Sequence, residues 1–291
     1  MLDNLLKSIV NAVDNLRNQS PIVASLTNFV TMNFVANTQL AVGANAAMVQ
    51  LPEEATAMAS VAKSIYINMG TLLPICKESF PAAAKAAVQN NIPWILDPVA
   101  AGMGTDRENI FQSFKHFPPS VIRGNASEII SLAQSWNLNS LNSTPTQNSE
   151  SIQIKGVGVD SSDTVESAEV AAIALAKFTK GVIAVSGEKD LITDGEKVYR
   201  CLGGSFLATR ITGAGCSLGG VIASYATITS PLIAALTGTI VYNYCQECAE
   251  KYITENSKGT GTFQIEFVDA LSLVKGKDLL EIINRTTERT V

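Results

Sequence analysis

The chain has 291 residues, of which 46% are hydrophobic and only 16% are charged, and its net charge is −5. This length and this balance predict a substantial buried core and argue against disorder. Because there is no basic excess, no general surface field would hold nucleic acid, and we expect no nucleic-acid partner. An anionic ligand would need a local anion pocket instead.

The two segments that most resemble targeting or membrane sequences do not fit those roles. The first twenty residues contain Asp3 and Asp14 and predict an amphipathic helix rather than a signal peptide. The apolar stretch from Pro231 to Tyr244 is too short and too polar to span a bilayer. Five cysteines, an odd number, are typical of reduced thiols. We therefore expect a cytoplasmic protein with no membrane partner.

Apolar stretches of strand length alternate with helical patterns as far as residue 186. The predicted strands are Ile22–Leu26, Ala46–Val49, Ser64–Asn68, Pro93–Asp97, Ser120–Arg123 and Gly181–Ser186. The predicted helices are Thr31–Val42, Glu54–Ala62, Ile75–Gln89, Ala126–Gln134 and Asp163–Lys180. Strands that are nearly all apolar, each followed by a helix, predict an α/β fold with a parallel sheet covered on both faces.

The remaining segments complete a single predicted domain over residues 1–291, since no linker or internal repeat is present. Leu191–Thr193 and Lys197–Cys201 predict a β-hairpin at one sheet edge. The segment 137–151 is rich in Asn, Ser and Thr and predicts a surface-loop insertion. The helices predicted after Gly215 are Cys216–Tyr225, Pro231–Ile253 and a last helical portion from Gln264 onward.

The sharpest local motif is TGAGCS at 212–217, which opens an apolar helix. Glycine lets the backbone approach a ligand closely, and the free N–H groups at a helix start form an anion hole suited to a phosphate. A tight turn needed only for helix packing is an equally good interpretation. A dinucleotide fingerprint is excluded, because no acidic residue lies between Cys216 and Gln246. A GxxxxGK[ST] phosphate loop is absent from the sequence.

Cys216 stands at the start of that helix. A thiol at a helix N-terminus is expected to have a lowered pKa, which favours a role as base or nucleophile. The alternative is a small buried hydrophobic residue, the commoner place of a free cysteine.

Three candidate residues end predicted strands, and a fourth, Glu128, lies in the predicted helix that follows Arg123. Asp97 ends the run WILD and can hold Mg²⁺ at the carboxyl end of a parallel strand, or it can simply start a turn. Arg123 can clamp a phosphate, and Glu128 can be a second metal carboxylate. Glu128 can equally form a capping pair with Asn125. Ser186, in the sequence SGE, can contact a nucleotide or belong to a plain turn.

Three other residues are predicted to have no catalytic role. Cys245 and Cys248 supply too few ligands for a zinc site and are expected to pack on one helix face. The single histidine, His116, has no GxSxG partner motif, which excludes an ordinary Ser–His hydrolase, and we expect it at the surface.

Several stretches in collinear order, from about Ser25 to Ala226, carry a family resemblance. They are Leu26–Asn37, Ala41–Ala44 running to Met48, Pro52–Glu54, Asn68–Leu72, Asp97–Val99, Val121–Ile129, Gly158–Ser161, Val185–Glu188 and Thr212–Cys216. Together they resemble the hydroxyethylthiazole kinases, thiamine-salvage enzymes of the ribokinase-like superfamily, with RGNASEI and TGAGC as the most specific parts. The resemblance implies a ribokinase-like three-layer sandwich with a mostly parallel central sheet. It also implies ATP- and Mg²⁺-dependent phosphorylation of the primary hydroxyl of 5-(2-hydroxyethyl)-4-methylthiazole.

The resemblance also implies a role for each candidate residue and a homotrimer with sites between subunits. Cys216 is the implied base that faces the substrate hydroxyl. The implied anion hole is Gly213, Ala214 and Gly215, and the implied ATP contacts are Arg123, Asn125 and Ser186. The implied metal ligands are Asp97 and Glu128, and the implied thiazole contacts are Met48, Asn28 and Gly213.

Two alternatives remain beside this function. Ala24-Ser25 and the segment after Asp97-Pro98 depart from the family pattern, so a kinase of another heterocyclic alcohol, such as hydroxymethylpyrimidine, is the second hypothesis. The third is a catalytically silent protein that binds thiazole or nucleotide as a sensor.

Overall fold

The computed structural model describes residues 2–138 and 165–291. Its strands are Ile22–Leu26 (β1), Asn45–Met48 (β2), Ser64–Asn68 (β3), Trp94–Asp97 (β4), Val121–Asn125 (β5), Val182–Ser186 (β6), Lys189–Thr193 (β7), Lys197–Leu202 (β8) and Thr287–Thr290 (β9). Its α-helices are Leu2–Gln19 (α1), Met32–Val42 (α2), Pro52–Met58 (α3), Cys76–Gln89 (α4), Thr105–Phe114 (α5), Ala126–Ser135 (α6), Val165–Thr179 (α7), Ala214–Ala226 (α8), Pro231–Glu255 (α9), Thr260–Leu273 (α10) and Leu280–Ile283 (α11). Short 3₁₀ helices lie at Phe206–Arg210 and Gly276–Leu279.

All these strands form one sheet in the order β2-β1-β3-β4-β5-β6-β7-β8-β9. The pairs from β2 to β6 are parallel, and the pairs from β6 to β9 are antiparallel. Because β1 pairs with β2 on one side and β3 on the other, the strand order reverses there. In open α/β sheets, ligands bind beyond the carboxyl ends of the strands at such a reversal.

Helices cover the sheet on both faces, each over its own buried core. On one face the sheet shares a single core with α1, α2, α8, α9 and α10, and Leu16, Val35 and Phe267 are among its fully buried side chains. On the other face it shares a second core with α3 to α7, and Ile67 and Phe111 are fully buried there. Burial on both faces explains why the parallel strands are nearly all apolar. The predicted covered parallel sheet is confirmed.

The last part of the chain differs from its prediction. The region from Gln264 onward was expected to be helical, but α10 ends at Leu273 and Thr287–Thr290 adds a ninth strand beside β8. The predicted hairpin, β7 and β8, therefore does not form the sheet edge. The sequence TERT has no apolar alternation, and this mostly exposed strand is joined to β8 by backbone pairing. Helix α5 was not predicted either.

Two features fall partly or wholly outside the described residues. Of the predicted insertion at 137–151, only residues 137 and 138 are described, and Gly158–Ser161 of the family resemblance is not described. Among the described residues, no helix is long and apolar enough to cross a membrane.

Candidate active site

The TGAGCS motif forms the start of helix α8. Gly213 caps the helix with φ 90° and ψ 0°, a left-handed conformation that costs glycine little. The first bond of the helical ladder runs from the Ser217 N–H to the Gly213 carbonyl, at 2.8 Å. The N–H groups of Ala214, Gly215 and Cys216 precede that ladder and carry the positive end of the helix dipole. This arrangement provides the backbone donors that an anion hole needs.

Cys216 is partly exposed in the first turn of α8, at the same sheet edge as the end of β1. The amide Nδ2 of Asn28 lies 3.8 Å from the Cys216 sulfur. Burial and the negative charge of Asp97 raise the pKa of the thiol to about 11. The expected lowering of this pKa is wrong, because desolvation and the nearby carboxylate outweigh the helix N-terminus. At neutral pH the sulfur is a thiol.

Asp97 is a fully buried carboxylate at the carboxyl end of β4. Its Oδ2 accepts a hydrogen bond from Asn68 Nδ2 at 2.9 Å and lies 3.6 Å from Arg123 Nη1. Burial raises the pKa of Asp97, and the Arg123 charge opposes that rise. Within the described part of the chain, the buried Oδ1 has no hydrogen-bond partner. A buried oxygen without a partner is costly unless a ligand or ion satisfies it.

Two residues of this network, Tyr66 and Asn68 on β3, were missed by the sequence analysis. The Tyr66 hydroxyl lies 2.5 Å from the Cys216 carbonyl oxygen and 3.0 Å from Asp97 Oδ2. Asn68 Oδ1 accepts from Asn28 Nδ2 at 2.8 Å, while its Nδ2 donates to Asp97. These bonds connect β1, β3, β4 and α8. Polar side chains two positions apart in an apolar strand point to one face of the sheet, and this pattern is the signal that would have identified Tyr66 and Asn68.

Arg123 joins this network to the next strand. Its Nε and Nη2 donate to Ser186 Oγ at 3.2 and 2.8 Å. A Cβ on Gly215 would lie 3.0 Å from Arg123 Nη1, so the guanidinium lies directly against the start of α8. Only 7% of Arg123 is exposed. The structure therefore brings Arg123 and Ser186, two of the three residues predicted to contact ATP, together beside the start of α8.

Glu128 caps helix α6, as one of its two interpretations predicted. Asn125 Oδ1 accepts from the Glu128 N–H, and Glu128 Oε2 accepts from the Asn125 N–H, both at 2.9 Å. Burial and the charge of Asp97 raise the pKa of Glu128 to about 7. Glu128 Oε1 also lies 3.4 Å from the backbone N of Ala100, three residues after Asp97, and the Asn125 side chain is engaged in the cap.

The two carboxylates fit the needs of Mg²⁺. Asp97 offers a buried oxygen without a partner, and Glu128 offers a carboxyl that ionises near neutral pH. Residues 2–138 and 165–291 contain no group of three or more His, Cys, Asp or Glu side chains arranged to hold a metal. Magnesium usually takes one or two carboxylates plus substrate phosphates, so a two-carboxylate site suits it.

A cavity of about 610 Å³ opens beside Arg123 and Ser186. Its walls include Gly215 at the start of α8, the 3₁₀ helix at Phe206–Arg210 and the middle of α9. This volume falls within the range of small-molecule sites.

The other predicted residues lie as follows. Met48 is half-buried at the end of β2, where its Cα pairs with Ser25 of β1, so it lies at the same sheet edge as Asn28. Cys245 is buried and Cys248 is partly buried on α9. His116 is exposed, as expected.

The model of the hydroxyethylthiazole kinase family matches residues 13–277. The chain belongs to this family. A hydroxyethylthiazole kinase of Bifidobacterium longum subsp. infantis is 46% identical over 288 residues, covering 94% of this chain and 89% of the relative.

Two solved structures share the fold. The hydroxyethylthiazole kinase protein of Pyrococcus horikoshii OT3 has a TM-score of 0.79 at 26% identity, covering 98% of this chain and 99% of that one. The pyridoxal kinase of Staphylococcus aureus, solved with ADP, has a TM-score of 0.53 at 16% identity, covering 78% and 87%. The predicted ribokinase-like sandwich is confirmed.

Proposed function

We propose that this member of the hydroxyethylthiazole kinase family transfers the γ-phosphoryl group of ATP to the primary hydroxyl of 5-(2-hydroxyethyl)-4-methylthiazole. One observation carries the proposal. Cys216, Asp97 and Arg123 meet at the start of α8, next to a cavity of about 610 Å³. Phosphoryl transfer needs mainly positioning and charge neutralisation, and this junction offers an anion hole, a guanidinium and two carboxylates.

In this proposal the nucleotide and the alcohol approach the anion hole from opposite sides. The triphosphate lies against Arg123 and the N–H groups of Gly213, Ala214 and Gly215. The alcohol lies on the side of Asn28, Met48 and Gly213, where the sulfur of Cys216 faces its hydroxyl. Because the thiol is protonated at neutral pH, Cys216 chiefly orients the hydroxyl, and only its minor thiolate form accepts the proton.

We further propose that Asp97 and Glu128 hold Mg²⁺ when the nucleotide is bound. The bound ion would neutralise phosphate charge. Removal of divalent cations with EDTA should abolish activity, and Mg²⁺ should restore it. Activity that persists in EDTA would contradict this assignment.

A homotrimer in the cytoplasm completes the proposal. Phe29 and Val30, which directly follow Asn28, are 54% and 59% exposed, which suits a site bordered by another subunit. Sedimentation equilibrium should give three times the chain mass of 30.8 kDa. A monomer at micromolar concentration would contradict the trimer.

A coupled ADP-release assay with the thiazole alcohol tests the reaction itself. We expect saturable turnover with the thiazole and a lower kcat/KM with hydroxymethylpyrimidine. Turnover of the pyrimidine alone would favour the second hypothesis. Calorimetric binding of both ligands without product, in folded protein, would favour the silent sensor.

A further inference from the structure

A second polar cluster lies on the antiparallel side of the cavity, away from the carboxylates of the proposed metal site. Asp190, on β7, is only 7% exposed. Its Oδ1 accepts from the Gly187 N–H at 3.0 Å, and its Oδ2 accepts from Asn243 Nδ2 at 2.7 Å. Asp190 and Asn243 both line the cavity.

These bonds fix which atom of the Asn243 amide faces the cavity. An ionised carboxylate can only accept hydrogen bonds, so Asn243 must turn its Nδ2 toward Asp190. The acceptor Oδ1 of Asn243 is thereby left for a ligand. Burial raises the pKa of Asp190 to about 6, so the carboxylate is ionised at pH 8.

The side-chain amide of Gln246 has the opposite orientation to that of Asn243. Its Oε1 accepts from the Ser205 N–H at 3.0 Å, so its Nε2 donor points elsewhere. Asn243 and Gln246 are three residues apart on α9 and therefore share a face, and both line the cavity. Asn243 thus presents an acceptor and Gln246 a donor, with orientations set by a carboxylate and by a backbone N–H.

The charges that line the cavity indicate which part of a nucleotide would bind beside Asn243 and Gln246. Arg123 and the start of α8 attract phosphate, whereas Asp190 and Glu188 repel it. Phe206, 69% exposed, adds an aromatic surface to the same cavity. An uncharged aromatic base suits this side, because it can pack on Phe206 and needs edge contacts.

We propose that Asn243 Oδ1 and Gln246 Nε2 recognise the edge of the adenine base, with Asp190 as the positioning residue that sets the orientation of Asn243. The inference rests on the nucleotide site of the proposed function. Adenine presents an amino donor beside a ring-nitrogen acceptor, which matches this pair. Guanine in the same orientation presents a carbonyl oxygen and an N–H, so both contacts become mismatches.

The variant Asp190→Asn reverses the pattern. The Gly187 N–H still needs an acceptor, so the new amide turns its NH₂ toward Asn243. Asn243 then accepts with Oδ1 and shows its Nδ2 donor to the cavity. Glu188→Gln is the matched control, because it removes the same charge from the same cavity but has no hydrogen bond to Asn243.

Calorimetry of ATP and GTP binding at pH 8 tests the inference without requiring turnover. The unmodified protein should bind ATP at least about tenfold more tightly than GTP, and D190N should lower that ratio by about tenfold or more. E188Q should keep the ratio within about twofold, whatever it does to each affinity. The Kd of the thiazole alcohol, measured by the same calorimetry, should be unchanged in D190N, which a general loss of structure would not produce.

A second variant protects the test against misfolding of D190N. In Gln246→Glu one oxygen still accepts from Ser205, and the other places an acceptor where the donor was, so the ATP to GTP ratio should fall in the same direction. Equal affinities for ATP and GTP in the unmodified protein would overturn the inference. So would ratios unchanged in both D190N and Q246E. Failure of the kinase proposal is distinct, since it means binding without thiazole turnover.

Discussion

The parallel and antiparallel parts of the sheet contribute different chemistry to the site. At the ends of the parallel strands, Asp97 and Tyr66 are fully buried in a hydrogen-bonded network under the start of α8. On the antiparallel side, the cavity is open and is lined by an exposed aromatic ring and by amides of α9. Arg123, on β5, touches both through Asp97 and Ser186. In the proposed function, the reaction chemistry belongs to the buried network and nucleotide selection belongs to the cavity on the antiparallel side.

Replacing Arg123, which connects the two parts, should have the largest effect on activity. Arg123→Met leaves Asp97 buried without its cation and takes a positive charge from the phosphate site. We expect kcat/KM to fall about 10³-fold in the ADP-release assay. Arg123→Lys is the control, because lysine keeps the charge but cannot donate the two hydrogen bonds that the guanidinium gives to Ser186. It should therefore recover only part of the activity. If kcat/KM fell by less than about tenfold in R123M, Arg123 would have no direct role in the reaction.

The raised pKa of Cys216 predicts slow alkylation. A pKa of about 11 lies two units above the ordinary value of 9.0, so at pH 8 the thiolate fraction is about 100-fold smaller than for an ordinary cysteine. Raising the pH increases the thiolate, so the iodoacetamide rate at Cys216, followed by peptide mass spectrometry, should rise about tenfold per pH unit up to pH 9.5. A plateau near pH 8 would show that the helix N-terminus dominates after all.

Removing the sulfur should affect the reaction side alone. Because Cys216 is mainly protonated, Cys216→Ala should lower kcat by about 30-fold, less than the loss of a strong general base. KM for ATP should stay within about twofold. Cys216→Ser is the control that retains a polar atom. Unchanged kcat in C216A would refute the assigned role. A large rise in KM for ATP would contradict the claim that Cys216 acts on the reaction and not on nucleotide binding.

The smallest expected effect concerns Tyr66. Tyr66→Phe keeps the buried ring but removes the hydroxyl that contacts the Cys216 carbonyl and Asp97. We expect kcat to fall about fivefold with KM for ATP unchanged. Tyr225→Phe, a buried tyrosine at the far end of α8, is the control and should leave kcat unchanged. Equal effects of the two variants would assign Tyr66 a purely structural role.

The difference between the two parts also explains what the sequence could predict. Local patterns were sufficient for the six parallel strands and for the positions of Asp97 and Arg123, because strand ends in a parallel sheet converge at one edge. The predicted direction of the Cys216 pKa shift was wrong, because Asp97 and the residues that bury the thiol come from segments distant in the sequence. Asn243 and Asp190 are 53 positions apart, and no local motif joins them.

A crystal structure with a non-hydrolysable ATP analogue and the thiazole alcohol tests the central claim most directly. The account predicts the γ-phosphate against the N–H groups at the start of α8, within contact of Arg123, and the alcohol hydroxyl beside the Cys216 sulfur. A triphosphate bound away from Gly213–Gly215, or an alcohol remote from Cys216, would contradict it.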